Sequence, residues 1–467
     1  MSQLISILLT LALIGVIIYV IAENQHPIQT LAWVVVIIFL PVLGILLYLL
    51  VGHRPRKKRL LPPEELDILK QRVLDVQGAH LVRVPEAYGK LSDMLEKINL
   101  ARPLGGNAVR LYDRFQPMVD DLVADLEQAR DHIHFEFFKF EDDPVGRRVA
   151  EVLMRKAREG VSVRVQYDDL ANLFRKKFYR ELKAAGVQVA PFIAVTFPIL
   201  STDTNFRNHR KVVVIDGRVG YLGGMNIAER YGTGLKWGPW RDTHLRVEGP
   251  AAAEIQIAFL SDWRFSTREL LAAPRYFPPC EAAGGTTVQV ITSGPMDEWH
   301  VAMQGLVQLL AEARDYVWLQ SPYFIPTDSV MLALKNAALS GVDVRIMLPW
   351  RGDGGPLVSL ASKSYVAEAL AAGVKVLFYR NGFLHAKTVV SDDAFASVGS
   401  TNIDVRSYRL DFEIDAFMYD PTLAGTLKDA FLRDMASAEA VDATAWARRS
   451  RFEKLKESLA RLFSPLL

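Results

Sequence analysis

The chain has 467 residues, long enough for two or three domain-sized units. Hydrophobic residues at 50% and charged residues at 23% exclude a disordered or low-complexity chain and supply a sizeable core. Lysine plus arginine (55) nearly balance aspartate plus glutamate (53), which argues against a protein that coats nucleic acid. The single cysteine, Cys280, excludes an internal disulfide and a cysteine-built zinc site, and reads as an ordinary loop or core thiol.

The first predicted elements are two membrane spans. Ser2–Ala22 and Ile28–Gly52 carry no charged residue, and each is long enough to cross a hydrocarbon core of about 30 Å. No basic residue precedes the first run, so a cleaved signal peptide is disfavoured, and Glu23–Thr30 reads as a polar turn. Arg54, Arg56, Lys57, Lys58 and Arg59 follow the second run, whereas the turn has neither Lys nor Arg. That asymmetry predicts a hairpin with the rest of the chain in the cytoplasm. Tyr19, Trp33 and Tyr48 sit where interfacial anchors are expected, and Pro41 and Gly44 are tolerable in a membrane helix.

Residues 1–59 thus form a hairpin with a basic anchor, and 60–100 a connector or amphipathic helix. Beyond Ala101, β-like runs (HIHFEFFKF, VSVRVQY, KVVVID) alternate with helical stretches (PVGRRVAEVLMRKAREG, RKKFYRELKAAG), which predicts an α/β fold. The chain also repeats itself. Gly160 matches Gly341, Gly186 matches Gly373 and His209 matches His385, at offsets of 181, 187 and 176 residues. Two halves follow, 101–273 and 286–467, joined by a Pro- and Gly-rich junction at 274–285.

Both halves carry one spaced constellation. Counting from His209 and His385, Lys lies at +2 (Lys211, Lys387), Asp at +7 (Asp216, Asp392), Gly at +14 (Gly223, Gly399) and Asn at +17 (Asn226, Asn402). Two such His–Lys–Asp matches arise by chance in roughly one protein in 5,000. In HRKVVVID and HAKTVVSD, His and Lys at i and i+2 face the same side of a strand. Two imidazoles, two ammonium groups and two amides suit a phosphodiester anion, and no carboxylate cluster suits a hard metal. The chemistry this points to is metal-free phosphoryl transfer, one histidine attacking phosphorus and the other donating to the departing alkoxide. Asp216 and Asp392 adjoin turns, where they hold the motif rather than contact substrate.

HRKVVVIDG and HAKTVVSDD, with GGMN and GSTN downstream, resemble the HxKxxxxD motifs of the phospholipase D superfamily. The paired N-terminal runs, FRNHRKVVVIDGRVGYLGGMNIAERY, WRDTHLRVEGP, SPYFIP, GFLHAKT and VGSTNIDVRSYRLDFEID resemble bacterial cardiolipin synthases over nearly the whole chain. The resemblance implies two pseudo-symmetric halves sharing one active site behind two transmembrane helices, without a cofactor. It implies transfer of a phosphatidyl group from one phosphatidylglycerol to another, releasing glycerol through a phosphohistidine. Phosphatidylglycerol, other anionic phospholipids and the bacterial inner membrane are the implied partners, with no nucleic acid. A membrane phospholipase D using water or another alcohol is the alternative, while the near-neutral charge and the hairpin count against a nuclease.

Carried over residue by residue, the resemblance makes His209, Lys211, Asp216, His385, Lys387 and Asp392 the catalytic motifs, with His209 favoured as nucleophile. Asn226, Ser400 and Asn402 become phosphate binders. Asp242 in WRDTH and Glu413 in DFEID, at matching places after their motifs, become the acids that orient the imidazoles. Glu136 and Gln320, on the first strands of the halves, are expected to line the cleft. Gly224 stands where the second half has Ser400, so a hydroxyl comes from one side only. Asp411 and Asp415 stand where asparagines are common in the family.

Overall fold

The computed structural model describes residues 2–23, 27–49, 60–195 and 205–466. It divides into two compact units, residues 1–58 with 195–205, and the remainder.

In the first unit, helix Ser2–Glu23 is followed by helices Pro27–Phe39 and Pro41–Leu47. Val20, Ile37 and Tyr48 are buried between them, and Trp33 meets the Tyr48 ring edge-on. Among the described residues no helix is long and apolar enough to cross a membrane. The expected second span is interrupted at Leu40 (φ −133°, ψ 68°), because the Pro41 ring disfavours helical backbone in the residue before it. The preceding 13-residue helix reaches only about 20 Å at 1.5 Å per residue. The side chains of residues 2–6, 8 and 9, the turn at 24–26 and the basic cluster within 50–59 lie outside the described residues.

The second unit is built on one mixed sheet. The first half supplies β1 (Leu104–Tyr112), β2 (His132–Phe137), β3 (Ser162–Asp168), β4 (Gln188–Phe192), β5 (Lys211–Ile215), β6 (Val219–Gly223) and β7 (His244–Glu248). The second half supplies β8 (Thr286–Ser293), β9 (Tyr316–Gln320), β10 (Asp343–Pro349), β11 (Lys375–Tyr379), β12 (Thr388–Ser391), β13 (Phe395–Gly399) and β14 (Asp411–Tyr419). The sheet order is β11-β10-β9-β12-β13-β14-β8-β1-β7-β6-β5-β2-β3-β4, so the halves mirror each other across the antiparallel β8–β1 pair. In each half three strands run parallel (β2-β3-β4, β9-β10-β11) and the rest antiparallel. Strands such as Lys-Val-Val-Val-Ile are buried along their whole length, as β-branched residues in a sheet covered on both faces should be.

Helices pack on both faces. Pro144–Arg158 starts where Pro144 supplies a preset φ and the Asp143 carboxylate accepts from Gly146 N at 2.8 Å. Residues 60–100 form two helices, Pro63–Gln77 and Gly89–Asn99, which bury Leu69, Val73, Leu91 and Leu95. The connector is therefore part of the packed unit, tied down by a buried Lys70–Glu254 ion pair at 2.5 Å.

Candidate active site

The two motif histidines lie just ahead of β5 and β12, two and three residues outside the strands expected to begin with them. Each is held by a short parallel bridge to the other half. Arg207–Asn208 pairs with Asp411–Phe412, and His209 N donates to Phe412 O at 2.9 Å. Trp240–Arg241 pairs with Phe383–Leu384, and His385 N donates to Arg241 O at 2.7 Å.

These bridges set each histidine beside the carboxylate of the opposite half. His209 Nδ1 lies 3.1 Å from both Glu413 carboxylate oxygens and 3.1 Å from Ser400 O. His385 Nδ1 lies 2.6 Å from Asp242 Oδ2. The orienting acids are thus exchanged between halves, and the site is one composite of both. The carboxylate beside each Nδ1 holds the proton there, at His385 in competition with Lys387 Nζ, and leaves Nε2 of each imidazole for chemistry.

The two positions differ electrically. Burial, with Lys211, Lys387 and His385 nearby, holds His209 well below the usual imidazole range, so it is uncharged at neutral pH. Burial and Lys387 also lower His385, but Asp242 opposes them. Burial alone would raise Asp242, yet Lys387 and His385 keep its carboxyl below the usual range. Glu413 is pushed up to about 7 by burial, against Lys211 and its hydroxyl neighbours. The Lys211 ammonium is pushed down to about 7 by burial, and Lys387 is lowered for the same reason. Both lysines donate to the carbonyl of their own histidine, and Lys387 Nζ also lies 2.9 Å from His385 Nδ1.

The other expected site residues fall into two groups. Asn402 lines a cavity of about 280 Å³ with His209, Phe138, Tyr323, Gly354, Val358, Arg406 and Asp411, and its Oδ1 has no hydrogen-bond partner. Asn226 is nearly committed, accepting from Lys139 N at 3.0 Å and donating to the Tyr231 hydroxyl at 2.6 Å. The Ser400 hydroxyl is tied to β14, accepting from Ile414 N at 2.9 Å and donating to Ile414 O at 3.3 Å. It is its carbonyl that serves the site.

Asp216 and Asp392 are not in the cleft. Each accepts three backbone N–H groups at the entrance of a neighbouring strand: Arg130, Asp131 and His132 for Asp216 (2.8–2.9 Å), Arg314, Asp315 and Tyr316 for Asp392 (2.9–3.0 Å). Both adopt a left-handed backbone, φ 51° and 50°. The motif aspartates clamp the sheet. Nor do Glu136 and Gln320 line the cavity. Glu136 accepts from Asn208, while Gln320 donates to Asp434 at 2.8 Å and accepts from Thr388 at 3.0 Å.

Behind the site stand two ion pairs that the motifs did not announce. Arg210 Nη1 donates to both Asp262 oxygens at 2.6 Å while its Nε donates to Glu413 O at 3.0 Å. Arg241 Nη2 pairs with Asp434 at 3.0 Å while its Nη1 donates to Asp242 O at 2.6 Å. Each guanidinium fixes the backbone that carries an orienting carboxylate. Gly224 is explained by the same packing: a Cβ there would sit 2.1 Å from Asp242 Oδ1.

The family model "Cardiolipin synthase, PLD-like domain" matches twice, over residues 122–261 and 306–435, and "Phospholipase_D-nuclease N-terminal" matches 7–53. The chain belongs to the cardiolipin synthase family. As a member it is an enzyme, a phosphatidyltransferase. It is 38% identical to the major cardiolipin synthase ClsA of Bacillus subtilis, covering 100% of this chain and 99% of that one. It is 37% identical to the cardiolipin synthase of Listeria welshimeri at the same coverage, and 38% to that of Staphylococcus aureus over 95% and 92%. The fold also matches the crystal structure of Haemophilus influenzae phosphatidylserine synthase (TM-score 0.62, 14% identity, 81% of this chain and 100% of that chain).

Proposed function

We propose that the chain joins two phosphatidylglycerol molecules into cardiolipin and glycerol, with His209 as nucleophile and His385 as acid and base. The carrying observation is the exchange of carboxylates: His209, kept uncharged by burial and its cationic neighbours, stands on the cavity wall beside Glu413, while His385 is backed by the ionised Asp242. His209 Nε2 attacks phosphorus, the P–O bond to the headgroup glycerol breaks, and the departing oxygen takes the proton from His385 Nε2. A hydroxyl of the second lipid then gives its proton to His385 as its oxygen attacks phosphorus, and the P–N bond breaks. Lys211 and Lys387, with the Nδ2 group of Asn402 as donor, meet the phosphoryl oxygens, where charge develops in both steps.

The cavity suits a polyol headgroup. Asn402 Oδ1 is buried there without a hydrogen bond, and a glycerol hydroxyl brings the missing donor. The reading extends to the membrane: the uncharged runs 2–22 and 28–52 enter the bilayer as a hairpin, and the basic residues 54–59 keep the catalytic unit on the cytoplasmic side of a bacterial inner membrane.

Product analysis with purified enzyme in detergent–phosphatidylglycerol micelles tests this. Cardiolipin and glycerol in equal amounts support it; phosphatidic acid and glycerol without cardiolipin replace it with a hydrolytic phospholipase D. An acid-labile phospho-adduct mapped to His385 instead of His209 would reverse the two roles.

A further inference from the structure

The last helix, Arg451–Arg461, is capped on both counts: Ser450 Oγ accepts from Glu453 N at 3.1 Å, and Ser450 N donates to Glu453 at 3.3 Å. One side is docked. Glu457 and Ala460 are buried, Arg449 grips Glu457 at 2.6 and 2.9 Å, and Arg461 reaches Glu368 at 3.2 Å. On the other side Phe452, Leu455 and Leu459 recur at helical spacing and are 65%, 55% and 53% exposed. Leu462 and Phe463 extend this exposed apolar face beyond the helix end.

Residues 448–461 carry six basic side chains and two acidic ones, a local charge of +4 in a chain of net +2. Arg448, Arg451, Lys454 and Lys456 are exposed and have no carboxylate within ion-pair distance among the described residues. Lys454 Nζ donates to Ala447 O and Lys456 Nζ lies over the Phe452 ring, but neither contact neutralises charge, and an apolar stripe flanked by cations without acidic partners fits the surface of an anionic bilayer. A second copy of this chain fits poorly, because a twofold contact would set the same cations against one another. The helix packs on Gly355–Ser364, whose capping residue Gly354 and first-turn Val358 line the cavity with His209.

We propose that the Arg451–Arg461 helix is a second membrane contact, lying in the headgroup layer of anionic phospholipid and holding the cavity at the lipid surface. The proposal rests on the lipid-enzyme reading only in its choice of a membrane, and its test reads contact, not turnover. Full-length protein with Cys280→Ser and Leu459→Cys carries a bimane probe and is reconstituted in vesicles with brominated acyl chains. Quenching should be strong in phosphatidylcholine mixed with phosphatidylglycerol and weak in phosphatidylcholine alone. No quenching in the mixed vesicles overturns the proposal, as does Leu459–Leu459 crosslinking between copies that persists in detergent. Leu455→Glu with Leu459→Glu should lower the rate on phosphatidylglycerol vesicles at least about tenfold and leave the rate in detergent micelles unchanged. An equal loss in both settings would also refute it.

Discussion

Asp242→Asn should be far more damaging than Glu413→Gln, although the two acids hold equivalent places. Thr243 N donates to Asp242 Oδ1 at 2.7 Å, so an amide there keeps its oxygen on that N–H and turns its NH2 toward His385 Nδ1. Two donors then face each other, and the neutral imidazole must move its proton to Nε2, the wrong tautomer for a base. The charge is lost as well. At about 2.6 Å and an effective dielectric of ~20, the Asp242–imidazolium attraction is of order 6 kcal/mol. The retained contact and solvent relaxation leave a net loss of about 3–5 kcal/mol, or roughly 10²–10⁴ in kcat. Glu413 differs because Ser400 O, 3.1 Å from His209 Nδ1, still accepts that proton when the carboxylate is gone. Glu413→Gln should therefore cost about tenfold or less. Glycerol release from phosphatidylglycerol micelles, with kcat and KM separated, gives both numbers. Equal losses, or a larger loss in Glu413→Gln, would refute the account of how the two imidazoles are held.

Three further outcomes are expected. With Lys211 pushed down to about 7 by burial, its cation is present below that pH and lost above it, so kcat/KM for the anionic lipid should fall as pH rises through about 7. Glu413 is one of the charges holding that cation up, so Glu413→Gln should move the alkaline limb to lower pH; an unmoved limb would remove Lys211 from lipid binding. Gly224→Ser imitates the second half yet should cost at least about 100-fold, since its Cβ displaces the Asp242 carboxylate; near-normal rates would show that this carboxylate has room to shift. Asp216→Ala or Asp392→Ala should destabilise by about 2–4 kcal/mol, read from denaturant midpoints, because three N–H groups lose one acceptor. Their kcat should change less than that of Lys211→Ala or Lys387→Ala, and a catalytic loss without destabilisation would return these aspartates to the cleft.

The repeat was legible because each half must place the same His, Lys and Asp on the same strand frame, and β-branched runs such as Val212–Ile215 mark buried strands plainly. The pairing of acids with histidines was not. Asp242 follows the first motif and Glu413 the second, but which imidazole each serves depends on two-residue bridges between segments far apart in the chain. The Arg210–Asp262 and Arg241–Asp434 pairs were hidden for another reason. They do similar work from different motif positions, and Ala386 stands where the first half has Arg210, so no repeat flags them. Ser400 misled because a hydroxyl beside the motif suggests a ligand, whereas its carbonyl is the group that faces His209. In the N-terminal segment apolar composition was plain, and the interruption before Pro41 was the part that hydropathy alone does not register.

Two equivalent halves would be a poor device for the reaction proposed above, in which His209 attacks and His385 carries the proton. The proton carrier must become an imidazolium at each turnover, and a close, ionised partner such as Asp242 lowers the energy of that state. The nucleophile has the opposite need. Once His209 Nε2 bonds phosphorus, its ring is cationic, and a fully ionised neighbour would deepen that intermediate and slow its transfer to the second lipid. Glu413, at a longer 3.1 Å and with its carboxyl pushed up to about 7, fixes the tautomer without holding the adduct too tightly. Gly224 belongs to the same asymmetry, since the missing side chain is what lets Asp242 close to 2.6 Å on His385. On this reasoning the small departures from the repeat, more than the repeat itself, divide one composite site into an attacking side and a proton-carrying side.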